Sequence, residues 1–205
     1  MSTTDKKPSF SIVIAVHEQT EELRNNLPAL LTQQYEDYEV IVVDESKNEE
    51  SEDVLEQQKA EHPHLYTTFL PQYQFQKNRR RLAFTIGVKA VKKDWVILTD
   101  ITPPPPSDQW LAELEEYVRT PTVLLLGYVN KKSGDVNLRC FDDISTASKL
   151  ITKTERGRIS EKGKGWAHHL WRKSTYDFIV VRTSLAHELL KLFALDPWLL
   201  VSKER

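Results

Sequence analysis

The chain has 205 residues, of which 40% are hydrophobic and 28% charged, and its formal net charge is −2. That balance suits a soluble globular protein with room for a sizeable core, and it excludes a bulk field that would draw nucleic acid. One cysteine, Cys140, excludes an internal disulfide framework and a cysteine-only metal site, and no apolar run approaches the roughly 18 residues of a membrane span.

The N-terminal MSTTDKKPSF lacks the apolar core of a secretory signal, so a cytoplasmic protein is expected, with docking onto the inner face of a membrane left open. Ser9 to Val16 is a short β-branched apolar run and reads as a buried strand. His17 to Thr20 leaves the sheet, and Thr20 is placed to cap the next helix. Leu23, Leu27, Leu30 and Leu31 share one helical face, with Pro28 inside the pattern predicting a kink or a late start. Tyr38 to Val43 is a second buried strand that ends on Asp44. Ser51 is the expected cap of a helix to about Glu61, and Leu65 to Leu70 a third strand.

Arg79 to Lys92 reads as a helix with Ala83, Ile86 and Ala90 on one face and Gly87 allowing close packing. Trp95 to Leu98 is a buried strand ending on Thr99-Asp100, followed by the prolines Pro103 to Pro106. Ser107 opens a helix with Trp110, Leu111, Leu114, Tyr117 and Val118 inward. Thr122 to Val129 is another strand, Ile144, Ala147 and Ile151 suggest a short helix headed by Asp142-Asp143, and Arg156 to Lys164 reads as a loop. Phe178 to Val181 is a last strand, and Leu185, Leu189, Leu192 and Phe193 mark a last helix.

Strand and helix alternate at a spacing that fits right-handed crossovers onto a mainly parallel sheet, hence a three-layer α/β domain. In such a sheet the C-terminal ends of the strands share one edge, which brings His17-Glu18, Asp44 and Asp100 to one crevice. Facing them is the basic run Arg79-Arg80-Arg81, within a segment from Lys77 to Lys93 that carries no carboxylate. Carboxylates accept from a base N–H, grip a ribose diol or ligate a hard cation, and arginines pair with phosphate oxygens through a bidentate fork. A nucleotide diphosphate suits that combination. Taken singly, each of these residues reads equally as a turn or surface residue. Gly163-Lys164-Gly165 does not follow a strand and is rejected as a phosphate loop. His168-His169, between Trp166 and Trp171, reads as packing or surface, and Cys140 as structural.

The order of these segments resembles family 2 glycosyltransferases of the GT-A (Rossmann-like) fold, which use nucleotide sugars. SIVIAVHEQTEELRNNLPALLTQQYEDYEVIVVDES is similar to the family's opening strand, loop, leucine-faced helix and Asp-ended strand. RRRLAFTIGVKAVKKDWVILTDITP resembles its basic helix and acidic strand end, PPPSDQWLAEL its Pro-then-Trp-Leu helix start, and DFIVVRTSLAHEL its strand and Arg-x-Ser turn. The resemblance implies one domain over 1–205: a tail over 1–8, a nucleotide-sugar-binding half over 9–120 and an acceptor-side half over 121–205. It implies that Ala15, Val16, His17 and Glu18 wrap base and ribose, that Asp44 contacts the base, and that Arg80 and Arg81 reach base or diphosphate. Asp100 then touches ribose or a Mg²⁺ or Mn²⁺ ion. It also implies a UDP-sugar donor, a carbohydrate or lipid-linked acceptor, inversion, contact with a membrane surface or a partner protein, and a turn at Arg182 that backs the acceptor site.

Two departures stand out. The acidic motif reads Asp100-Ile101-Thr102, so a neutral hydroxyl replaces the family's second, metal-ligating carboxylate. After Arg182 only Glu188, Asp196 and Glu204 follow, none in the family's context for a catalytic base, so no catalytic residue is assigned. The alternative is therefore a catalytically inactive relative acting as a binding or partner subunit, which Thr102 and the short stretch after the turn favour. A nucleotidyltransferase would want a glycine-rich loop after the first strand, and Val16 to Thr20 contains none.

Overall fold

The computed structural model describes residues 6–46, 48–70, 79–102, 104–118, 121–129, 135–146 and 177–192. Its elements run β1 (Phe10–Val16), α1 (Thr20–Leu31), β2 (Tyr38–Asp44), α2 (Glu49–Glu61), β3 (Leu65–Phe69), α3 (Arg79–Ala90) and β4 (Trp95–Thr99). Then follow α4 (Trp110–Glu115), β5 (Leu124–Val129), β6 (Val136–Phe141), β7 (Phe178–Arg182) and α5 (Thr183–Leu192).

The strands form one 7-stranded sheet in the order β3-β2-β1-β4-β7-β5-β6. β3, β2, β1 and β4 are mutually parallel, β7 is antiparallel to both β4 and β5, and β6 is antiparallel to β5. Every residue of β1 and β2 is buried, with apolar runs over Ile12 to Val16 and Val40 to Val43, because both faces of the sheet are covered. Successive side chains then serve opposite layers. Ile12, Ile14, Val40, Val42 and Ile97 join one core with Leu23 and Leu27 of α1, Leu55 of α2 and Trp110 of α4. Val13, Ala15, Ile41, Val43 and Leu98 join the other with Ala83 and Phe84 of α3 and Leu189 of α5. The result is the expected three-layer α/β domain. No helix among the described residues is long and apolar enough to cross a membrane.

Successive strands step one way from β1 through β2 to β3, and β4 then takes the other side of β1. The gap between β1 and β4 is thus a topological switch point, where connections diverge and leave an open crevice. Gly87 lets α3 lie close over β1, since a Cβ there would stand 2.3 Å from Val13 Cγ1.

Several local expectations are corrected. Thr20 does not cap α1; it is the first helical residue, buried, and its hydroxyl meets that of Ser51 at 2.7 Å. Ser51 lies inside α2, which is capped by Asn48 accepting from Glu50 N. The helix starts earlier because an Asn side chain was available one turn upstream. α1 runs through Pro28 with no late start. Ser107 accepts from Gln109 N and donates to Glu113, shaping the turn before α4 without being its cap. Tyr117 is 44% exposed, because α4 ends at Glu115 and the face it would have shared does not continue. Asp143 does head a helical turn, accepting from Thr146 N, and bonds from Ser145 and Thr146 hold its carboxyl down at about 2. The expectations at Ala147, Ile151, Arg156 to Lys164, Gly163 to Gly165, Trp166, His168, His169, Trp171, Phe193, Asp196 and Glu204 lie outside the described residues.

Candidate functional site

β1, β2 and β4 deliver their C-terminal ends to one lip, as their pairing registers dictate. Asp44, the last residue of β2, pairs with Val16, and Thr99, just before Asp100, pairs with Ile14. Asp44 and Asp100 therefore flank the exit of β1, two strand spacings or about 10 Å apart. Ala15 and Val16 are buried in that strand, and His17 and Glu18 are exposed just beyond it. Glu18 takes a left-handed φ of 53°, which a side chain with a Cβ adopts at a cost, so this turn is held by its surroundings.

Asp44 is fully buried. One carboxylate oxygen accepts from Ser46 N at 2.8 Å and Ser46 Oγ at 2.6 Å. The other, Oδ2, is buried without a hydrogen-bond partner among the described residues. A buried carboxylate oxygen left unmatched costs stability, and a ligand N–H or O–H would remove that cost.

α3 points its N-terminus at this lip, with the positive end of its dipole and three arginines in its first turn. Arg79 donates to the carbonyl of Glu45 at 2.7 Å, at the exit of β2. Arg80 reaches the exit of β4 and pairs with Asp100 Oδ2 at 2.5 Å, both side chains 5% exposed. Its guanidinium also lies 5.5 Å over the Phe84 ring. Arg81, half-buried, makes further interactions of its own. The expected site residues thus gather at one edge.

The second oxygen of Asp100 is equally engaged. Oδ1 accepts from Thr102 N at 3.0 Å, Thr102 Oγ1 at 3.1 Å and Gln19 Nε2 at 3.1 Å. Gln19 Nε2 also donates to Thr102 Oγ1 at 2.9 Å. Thr102 is thereby a hydrogen-bond partner of Asp100. The loop is held from below by Asn26, which donates to the carbonyls of Ile101 and Thr102. Among the described residues no three His, Cys, Asp or Glu side chains are placed to hold a metal ion. A Mg²⁺ or Mn²⁺ ion on Asp100 would have to displace a buried guanidinium and sit beside it, and these residues as arranged do not fit one.

Three contributors were missed from sequence. Gln19 and Asn26 act across the fold on Asp100 and its loop, and only the register of α1 against β4 brings them there. Asp177, also buried, sits at the same lip: its carbonyl accepts from Thr99 Oγ1 and its carboxylate from Val129 N. It follows from the antiparallel direction of β7, whose first residue and not its last lies at this edge. For the same reason Arg182, in the turn that the resemblance associates with the acceptor, pairs with Trp95 at the opposite edge and stacks 4.8 Å over its ring.

Comparison with known proteins agrees with this architecture. Among curated proteins no sequence match is found. The chain is similar in structure to the mannosyltransferase PcManGT from Pyrobaculum calidifontis, solved with GDP-Man and Mn²⁺. The TM-score is 0.59 at 14% identity, over 90% of this chain and 47% of that one. It is similar as well to residues 1–349 of TarS from S. aureus, with a TM-score of 0.57 at 14% identity, over 88% of this chain and 48% of that one. The chain thus spans about half the length of either relative, and at such identity the likeness is one of fold. The model of the family described as Glycosyl transferase family 2 matches residues 11–156, a stretch that holds β1, the Asp44 and Asp100 strand ends and the arginine helix. The chain belongs to glycosyl transferase family 2.

Proposed function

We propose that the lip crevice binds the nucleoside diphosphate of a nucleotide sugar, and that the chain transfers the sugar with inversion to a carbohydrate or lipid-linked acceptor. The observation that carries the reading is Asp44, buried at the lip with Oδ2 unmatched, opposite a helix N-terminus that bears three arginines. A base or ribose N–H or O–H would satisfy that oxygen, and the arginine end of α3 would meet the diphosphate. Ala15 to Glu18 would close over base and ribose. The donor expected is a UDP-sugar; the solved mannosyltransferase relative holds GDP-Man and Mn²⁺. Transfer then consists of attack by an acceptor hydroxyl on the anomeric carbon as the bond to the diphosphate breaks, the hydroxyl's proton passing to solvent.

A second reading, a nucleotide-binding or partner subunit without turnover, is favoured by Thr102, which stands where the family carries a carboxylate and is spent on Asp100. Calorimetric titration with UDP, GDP and dTDP, followed by an assay for nucleoside diphosphate released from the matching nucleotide sugar, separates the two. Binding of one nucleotide with acceptor-dependent release supports the transferase. Binding with no release across an acceptor panel supports the second reading in its nucleotide-binding form, and no binding at millimolar nucleotide contradicts the transferase and leaves a partner subunit that keeps only the fold.

A further inference from the structure

We propose that this crevice meets a nucleoside diphosphate without a divalent cation, the positive charge coming from the arginine end of α3. The inference rests on the nucleotide-binding reading above and specifies its electrostatics. An ionised carboxylate offers about four acceptor positions. Asp100 meets four donors: the backbone N–H and hydroxyl of Thr102 and Gln19 on Oδ1, and Arg80 on Oδ2. A metal on Oδ2 would have to crowd or break a pair whose side chains are each 5% exposed. Breaking it would leave a guanidinium buried and uncompensated beside a dication, two like charges at close range.

Thr102 adds no charge to offset them. Its hydroxyl proton is given to Asp100 and one of its two lone pairs to Gln19, so it offers a cation at most one neutral lone pair. Hard cations at nucleotide sites take one or two protein carboxylates beside the phosphate oxygens, and here the second carboxylate is missing. What the site has instead is fixed positive charge. The Arg80–Asp100 pair is neutral in sum. Arg79 donates to a carbonyl, a bond that leaves its charge uncancelled. The N-terminus of α3, which is 12 residues long, adds its dipole. Arginine forks match phosphate oxygens in a way that a point charge does not.

The test compares nucleotide affinity with and without a cation and reads the cation separately. UDP and GDP are titrated calorimetrically into the full chain in EDTA and in excess Mn²⁺. Mn²⁺ alone is titrated into the chain and followed by the electron spin resonance of the free ion. The expected outcome is an affinity that changes by less than about twofold between the two buffers, with the free-ion signal undiminished at stoichiometric Mn²⁺. Arg79→Gln combined with Arg81→Gln should weaken the nucleotide by about tenfold or more in EDTA. A tenfold or greater gain from Mn²⁺, loss of the free-ion signal on the protein alone, or full affinity in the double arginine variant overturns the inference while leaving nucleotide binding intact. Failure of both nucleotides to bind in either buffer removes the nucleotide-binding reading itself, and this inference with it.

Discussion

Asp100 was legible as a strand-end carboxylate, and so was Asp44, because a buried apolar run that stops on an acid needs no tertiary information to be seen. What Asp100 does was not legible. Its partners Arg80, Gln19 and Thr102 come from three separate segments, and only the folded chain shows that they consume it. The account makes Asp100 the counter-ion of a buried arginine, which has a consequence for stability. Asp100→Asn leaves Arg80 buried without a charge partner and should cost about 3–5 kcal/mol in chemical denaturation. Replacing both partners with apolar residues, Arg80→Met with Asp100→Leu, should recover most of that loss, because neither desolvated charge remains. A solvated ligand awaiting a metal would behave in the opposite way: its single amide variant would leave the metal-free protein as stable as before or more so.

At the scale of elements, continuous apolar runs located the buried strands and a repeat of 3.6 located the α1 and α3 helices. It failed where the pattern was short or where a cap competed. β6 was missed because Val136 to Phe141 alternates for only part of its length and is paired along one side alone, by β5. The direction of β7 was not readable at all, because an antiparallel strand and a parallel one look alike in composition. That one unknown moved Asp177 to the lip and Arg182 to the far edge. Gly87 was readable, and the structure gives its reason. A methyl there would collide with Val13 Cγ1 at 2.3 Å, so Gly87→Ala has to lift α3 off β1. The expected cost is about 1–3 kcal/mol in thermal or chemical unfolding, as for other overpacked contacts. Because α3 carries Arg79 to Arg81, nucleotide affinity should fall in the same variant. Loss of stability with unchanged affinity would mean that the arginine end is not held by this contact.

At the scale of the whole molecule, the three layers cover both faces of a sheet whose order reverses beside β1, and that reversal places the crevice before any side chain is considered. The family match and the fold likeness agree with this architecture, and the chain spans about half of either solved relative. The central claim is that the nucleotide sits at the lip formed by the ends of β1, β2 and β4 and the start of α3. Hydrogen–deuterium exchange of the full chain, with and without saturating nucleoside diphosphate, tests it most directly. The account predicts new amide protection over 15–20, 44–46, 79–81 and 100–102, with the opposite edge around Trp95 and Arg182 unchanged. Protection confined to that opposite edge, or none at a nucleotide concentration that calorimetry shows to be saturating, would contradict it.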